Sequence, residues 1–279
     1  MRADYQVIAG DCLIELKKSS EKKIHLSFVD PPFNQGKAYR RVQDDLPEAQ
    51  YWQWIHAVLA AIYQRTETGG AIYFMQREKN TEPVLRVLRE SSWHFQNLII
   101  WKKKTSAVPS RVRYGKQYQI IAYATKGEKP RVFNRLRISP PLPPGYKYER
   151  ENGLYVTDVW DDIRELTSGY FAGDEAIRNE KGKRFHKQQS PIALLLRIIL
   201  SSTHVGDTVL DPFAGTGTML VVAHQLQRNS IGLELDPANA RCIQNRLQSL
   251  READDIKKYY QQYAKTEQLS DIWVPVNRE

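Results

Sequence analysis

Apolar residues fall along this chain in short unbroken runs, separated by stretches in which they recur every third or fourth position. The runs Tyr5–Asp11, Ile24–Val29, Ala71–Met75, Phe95–Trp101, Gln119–Ala124, Thr208–Asp211 and Ser230–Asp236 have the length of strands. Cys12–Leu16 reads as the start of a short helix, and Glu82–Arg89 as another. Tyr51–Tyr63 places Trp54, Val58, Leu59 and Ile62 at helical spacing, and Gly69-Gly70 is expected to end that helix. Pro191 precedes the apolar helix Ile192–Leu200, at a position where its missing N–H costs nothing. Met219–Leu226 and Ala238–Leu250, the latter opened by Pro237, complete the helices, and a polar tail begins at Arg251. Strands alternating with helices predict an α/β fold with a mainly parallel sheet covered on both faces.

The pattern breaks near Lys126. Pro140-Pro141-Leu142-Pro143-Pro144-Gly145 cannot be regular structure, because proline lacks a ladder donor and fixes φ. Charge concentrates in the same region. Residues 102–187 hold 19 Lys and Arg against 10 Asp and Glu, whereas the rest of the 279 residues holds 22 of each. A neutral body with one basic segment fits a local polyanion surface, and equally a solvated lysine-rich insertion. No run of eighteen apolar residues occurs, so no membrane span is expected. The N-terminus has no signal-peptide layout, and Cys12 and Cys242 are too few for a disulfide framework or a multi-cysteine metal site. A cytoplasmic location is the resulting expectation.

Two segments carry chemistry. The strand Thr208–Asp211 runs into Asp211-Pro212-Phe213-Ala214-Gly215-Thr216-Gly217-Thr218 and then into a helix. Ligands of open α/β sheets bind at the carboxyl ends of strands, and Gly215 and Gly217 let the backbone approach one closely. No Gly-Lys-Ser/Thr follows, so this is not a P-loop, and Leu220 breaks a dinucleotide fingerprint. Glu234 ends the next strand, where a carboxylate accepts ribose hydroxyls in other nucleoside-binding folds. It sets this turn apart from an ordinary Gly-rich turn. The other segment, Asp30-Pro31-Pro32-Phe33, also ends a strand. It suits an amine that donates to a carboxylate and to a backbone carbonyl, with Phe33 as a stacking surface for a flipped base. Alone, it reads more simply as a Pro-Pro strand stop.

Together, and in this order, the two segments resemble the beta-ordered group of DNA amino-methyltransferases, which act on adenine N6 or cytosine N4. That group places an Asp/Ser/Asn-Pro-Pro-aromatic motif first, then a target-recognition region, then the motif for S-adenosyl-L-methionine (AdoMet). Gly10-Asp11 is similar to the group's N-terminal motif near the adenosine end of the cofactor. Gly69-Gly70 with its strand, Ile99–Lys102, Ile121–Gly127 and Asp158-Val159-Trp160 are similar to later segments. His186-Lys187-Gln188-Gln189-Ser190-Pro191 resembles a His-Pro-x-Gln-Lys-Pro element beside the methionine end. Lys187 replaces its proline and Ser190 its lysine, so no cationic contact from position 190 is implied.

The resemblance implies a Rossmann-like, circularly permuted fold with a seven-stranded, mainly parallel sheet. It implies methyl transfer from AdoMet to an exocyclic amine, with Asp30, Pro31, Pro32 and Phe33 catalytic. It assigns Asp11, Asp30, His186, Gln189, Ser190, Asp211, Phe213, Ala214, Gly215, Thr216, Gly217, Thr218 and Glu234 to the cofactor, and requires no metal. Asp at the first motif position leans towards adenine, since the cytosine-N4 group more often has Ser. Double-stranded DNA is the implied partner, with phosphate contacts from Lys102, Lys103, Lys104, Arg111, Arg113, Arg131, Arg135 and Arg137. A cognate restriction endonuclease, and a monomeric or homodimeric state, are compatible with this. The expected organisation is a catalytic half (1–126), a recognition insert (127–185), a cofactor half (186–250) and a tail (251–279). The rivals are an RNA or protein amide methyltransferase, against which the motif order argues, and a non-catalytic nucleic-acid-binding protein, against which Asp30, Asp211 and Glu234 argue.

Overall fold

The computed structural model describes residues 3–18, 22–37, 44–139, 151–166, 173–185 and 188–274. The expected order of elements is present: β1 (Tyr5–Ala9), α1 (Cys12–Lys17), β2 (Ile24–Val29), α2 (Glu48–Arg65), β3 (Thr66–Arg77), α3 (Thr81–Glu90), β4 (His94–Lys102) and β5 (Tyr118–Thr125). Three two-residue strands follow, β6 (Arg137–Ile138), β7 (Leu154–Tyr155) and β8 (Val159–Trp160). Then come α4 (Ile192–Ser202), β9 (Thr208–Asp211), α5 (Thr218–Gln225), β10 (Asn229–Glu234) and α6 (Pro237–Gln248). The Pro140–Gly145 loop, His186 and Lys187 lie outside the described residues. β10 stops two residues before the expected Asp236 because that side chain caps α6, accepting the Ala238 N–H at 2.8 Å.

The sheet has eight strands rather than seven, in the order β1-β10-β9-β2-β3-β5-β4-β8, and β6 and β7 form a separate ribbon. The eighth, β8, pairs with β4 in parallel at the edge and is too short to leave a hydrophobic run. Only β5 runs against its neighbours, β3 and β4. Gly69-Gly70 does not end α2. The helix stops at Arg65, where the backbone of Thr66 turns extended, and both glycines lie inside β3. They occupy a bulge, since the register against β2 jumps from Ile24↔Thr66 to Leu26↔Ala71. Gly69 has φ +75°, and a Cβ on Gly70 would come within 2.5 Å of the Thr66 methyl.

Both faces of the sheet are buried, which explains the unbroken apolar runs. Along β3, Ala71, Tyr73 and Met75 pack beneath α4, α5 and α6, while Ile72 and Phe74 pack beneath α1, α2 and α3. The segment after Arg251 joins the first of these layers. It forms two 3-10 turns and two single-turn helices, α7 (Tyr260–Tyr263) and α8 (Leu269–Ile272), and buries Ile256, Tyr263, Leu269, Ile272 and Trp273. Among the described residues no helix is long and apolar enough to cross a membrane.

Candidate active site

β2 and β9 lie side by side in parallel at the centre of the sheet, with Leu26 opposite Val209 and Ser27 opposite Leu210. Asp30 and Asp211, some 180 residues apart in sequence, therefore leave the sheet at one edge. From β9 the chain crosses through α5 to β10 on one side, and from β2 through α2 to β3 on the other. The strand order thus reverses between them, which opens a crevice for a ligand.

The first cavity in this crevice, of about 480 Å³, is lined by Gly10, Asp11, Asp30, Ser190, Asp211, Phe213 to Thr216, Thr218 and Glu234. Each carboxylate is held. Asp211 accepts the Phe213 N–H at 3.1 Å, and Asp11 caps α1 through the N–H groups of Leu13 and Ile14 at 2.9 and 3.1 Å. Glu234 accepts the N–H of Gly215 at 2.8 Å and of Asp236 at 2.9 Å, and the Asn239 amide at 3.2 Å. The glycine turn is thereby tied to the end of β10. Gly217 has φ +76°, and a Cβ there would stand 2.6 Å from Ile243, so only glycine fits. Burial pushes Asp211 up to about 8; the Phe213 N–H opposes this and the negative charges of Asp30 and Glu234 reinforce it.

A second cavity of about 530 Å³ adjoins the first, lined by Phe33, Met75, Trp101, Lys103, Tyr118 and Glu165 among others. Asp30 and Ser190 line both cavities, with Arg184, Gln188 and Gln189. Asp30 Oδ2 accepts the Ser190 hydroxyl at 3.2 Å, whereas Oδ1 is buried and meets no donor among the described residues. Burial pushes its pKa up to about 7, against the opposing effects of Ser190, Lys103 and Lys37. Pro31 is buried and lines neither cavity, and Pro32 lines the first. The Pro32 carbonyl accepts the Tyr51 hydroxyl at 2.8 Å, which in turn accepts from buried Gln76 at 2.9 Å. The Asp-Pro-Pro turn is thus fastened from beneath.

Residues 24–245 match the family described as DNA methylase, N6_N4_Mtase. The chain belongs to that family. This DNA methyltransferase is 30% identical over 249 residues to the DNA adenine methyltransferase YhdJ of Escherichia coli K12, covering 82% of this chain and 78% of that protein. It is 29% identical over 247 residues to the type II methyltransferase M.HpaI of Haemophilus parainfluenzae, covering 88% and 75%. Among solved structures, the M1.HpyAVI–SAM complex matches with a TM-score of 0.59 at 22% identity, over 88% of this chain and 100% of that one. The PvuII DNA methyltransferase, cytosine-N4-specific, matches at 0.64 and 16%, over 95% and 96%. At those identities the two structures show the fold alone.

Enzymes of this family take their methyl group from AdoMet, and the first cavity of the methyltransferase fits that molecule. AdoMet is a cation at its sulfur, and six acidic residues, Asp11, Asp30, Asp44, Asp211, Glu234 and Asp236, line the cavity. Two of these, Asp30 and Asp211, have their pKa values pushed up by burial to about 7 and about 8, and a positive charge beside them would favour their ionised forms. Phe213, which meets Trp54 edge-on at 5.6 Å, gives the cavity an aromatic wall.

Not every expected contact converges here. Gln189 lines the cavity, yet its amide is committed to the backbone of Ile177 and Glu175, at 3.0 and 2.9 Å. The expected phosphate contacts divide between two edges of the sheet. β4 runs in the same direction as β2 and β9, so Lys102, Lys103, Lys104 and the loop bearing Arg111 and Arg113 leave at the active edge. Lys103 lies inside the second cavity, over Trp101 at 5.5 Å. Arg131 lies at the opposite edge, paired with Asp207 just before β9 and bonded to the Gly69 carbonyl. Arg135 and Arg137 stack on Tyr155 of the β6–β7 ribbon. The neighbouring Asn134 bonds Ser201 at the end of α4, an 11-residue helix about 16 Å long whose other end adjoins Ser190.

Sequence reasoning missed Asn239, the Tyr51–Gln76 brace, and Asp44, whose carboxylate gathers the N–H groups of Asn34, Gln35 and Lys37 at 2.7–3.1 Å. Trp54 resembled a core position, and only its placement against Phe213 shows that it faces the cavity.

Proposed function

We propose that the methyltransferase modifies the exocyclic amine of a base flipped out of double-stranded DNA, with adenine N6 as the target. The single observation that supports this most is Asp30, whose unpartnered carboxylate oxygen stands at the wall common to the two cavities. AdoMet in the first cavity supplies an electrophilic methyl group. An exocyclic amine is a weak nucleophile because its lone pair is conjugated into the ring. Asp30 accepts one of its hydrogens and holds the nitrogen towards the first cavity. The resemblance to the amino-methyltransferases assigns the second hydrogen to the Pro31 carbonyl. These bonds favour a pyramidal nitrogen with a freed lone pair, which forms the new C–N bond as the S–C bond breaks. The nitrogen then sheds one proton, and Asp30 is placed to receive it. Positioning and electrostatics carry the reaction. Phe33, Trp101 and Tyr118 supply aromatic walls for the base.

Adenine is favoured by the Asp at the head of the motif and by the resemblance to YhdJ. Action in the cytoplasm, as a monomer or homodimer, belongs to the same reading. So does pairing with a cognate endonuclease, favoured by the likeness to a type II methyltransferase. The test is methylation of DNA with labelled AdoMet, followed by nucleoside mass spectrometry. N6-methyladenine is expected from the wild type, and D30A is expected to bind DNA but transfer no methyl. N4-methylcytosine would replace the base assignment, and an active D30A would sink the catalytic one.

A further inference from the structure

The loop between β4 and β5 rises from the active edge, and its stalk is fully engaged. Lys103 N–H donates to Gln117 at 2.7 Å, and Ala107 N–H to Lys116 at 2.9 Å. The carboxylate of Glu165 accepts the N–H groups of Lys104 and Thr105 at 2.9 and 3.0 Å, and Lys116 pairs with Glu78 at 3.0 Å. Gly115 lets the two arms of the stalk approach, since a Cβ there would lie 2.1 Å from the Ala107 carbonyl. Thr105, Ser106, Ala107 and Lys116 line the second cavity, so this stalk is part of its wall.

The tip is the reverse. It closes in a turn, with Ser110 N–H donating to Arg113 at 3.1 Å, and then presents apolar side chains to solvent: Val108 is 91% exposed, Val112 84% and Tyr114 98%. Arg111 and Arg113 are exposed beside them. Single exposed hydrophobes are ordinary, but three on one braced tip, interleaved with Arg111 and Arg113, serve no packing purpose. The cations complement a polyanion, and the exposed apolar side chains beside them suit the inside of a base stack.

We propose that this tip enters the DNA duplex at the target pair. Tyr114 stacks in the gap left by the extruded base, and Arg111 and Arg113 engage the flanking phosphates. The proposal rests on the base-flipping reading above and adds the device that stabilises the opened duplex. Apolar wedges between base steps work in this way, and stacking on an aromatic ring offsets part of the lost base stacking.

The test first locates the wild-type methylation site by modification-sensitive sequencing. It then compares a fully paired duplex with one in which the target base is mispaired and already loosened. Y114A should lose about tenfold to a hundredfold in kcat/KM on the paired duplex, and within about threefold on the mispaired one, while Y114F recovers most of the loss. Unchanged AdoMet binding by Y114A would show that the fold is intact. Equal activity of Y114A and wild type on the paired duplex, or an equal loss on both duplexes, would overturn the proposal. So would a changed oligomeric state of Y114A in sedimentation, which would assign the tip to a second copy. A wild type for which that first step finds no methylated site would remove the flipping reading along with it.

Discussion

Asp30→Asn should abolish methyl transfer and at the same time stabilise the ligand-free protein. The carboxyl is raised from 3.8 to about 7, chiefly by burial. Folding therefore has to proceed with a carboxyl that resists ionisation, whereas the unfolded chain ionises it freely. Because the folded-state pKa is raised, full stability is present below the unfolded value near 4. It is lost as pH rises from there to about 7, and the loss is constant above that. The interval corresponds to about 4 kcal/mol at about 1.4 kcal/mol for each tenfold. Water in the open crevice screens part of it, which leaves about 2–4 kcal/mol. Asparagine keeps the shape and an acceptor for Ser190 but never ionises. Urea unfolding of wild type and D30N at pH 4, 6 and 8 reads the difference directly. It should be small at pH 4, intermediate at pH 6 and largest at pH 8. A pH-independent difference, or a D30N that is less stable at pH 8, would refute the argument from burial.

The same carboxylates should govern cofactor binding. A cation entering beside Asp30 and Asp211, raised to about 7 and about 8, draws protons off them, so AdoMet affinity should rise between pH 6 and 8. Isothermal titration in buffers of different ionisation enthalpy should show proton release, and S-adenosylhomocysteine, which lacks the sulfonium charge, should release fewer. A flat pH profile for AdoMet would contradict this. Asp254 is fully buried between Arg246 and Arg251, and Arg246 also donates to the Thr216 carbonyl of the glycine turn at 2.8 Å. Asp254→Ala strands a buried guanidinium and should cost about 3–5 kcal/mol in urea unfolding. It should also weaken AdoMet binding, and unchanged affinity would break the proposed link between the C-terminal segment and the turn.

What was legible in the sequence is what local chemistry determines. β2, β9 and the carboxylates at their ends were visible because buried strands leave unbroken apolar runs, and because proline and glycine mark where they stop. Both segments read as strand ends, and the parallel pairing of β2 with β9 puts Asp30 and Asp211 at one edge of the sheet. What was hidden depends on contacts distant in sequence. β8 holds two residues and exists only because β4 offers an edge. The polar segment after Arg251 docks through a few spaced apolar side chains and the charge of Asp254, none of which forms a helical stripe. Arg131 and Arg113 look alike as basic residues. Their separation to opposite edges comes from the direction of β4 and β5, which composition does not encode.

The central pairing of β2 with β9 also constrains how the molecule is made. Thr208 hydrogen-bonds His25 across 183 residues, so the middle of the sheet is closed by partners far apart in sequence. During synthesis β2 and β3 emerge early, and the edge of β2 that will receive β9 stays open while the intervening chain is translated. High contact order of this kind slows folding and exposes an unpaired strand edge. The two aspartates share one edge only once β9 has paired with β2, so neither half of the nascent chain holds both of them in place.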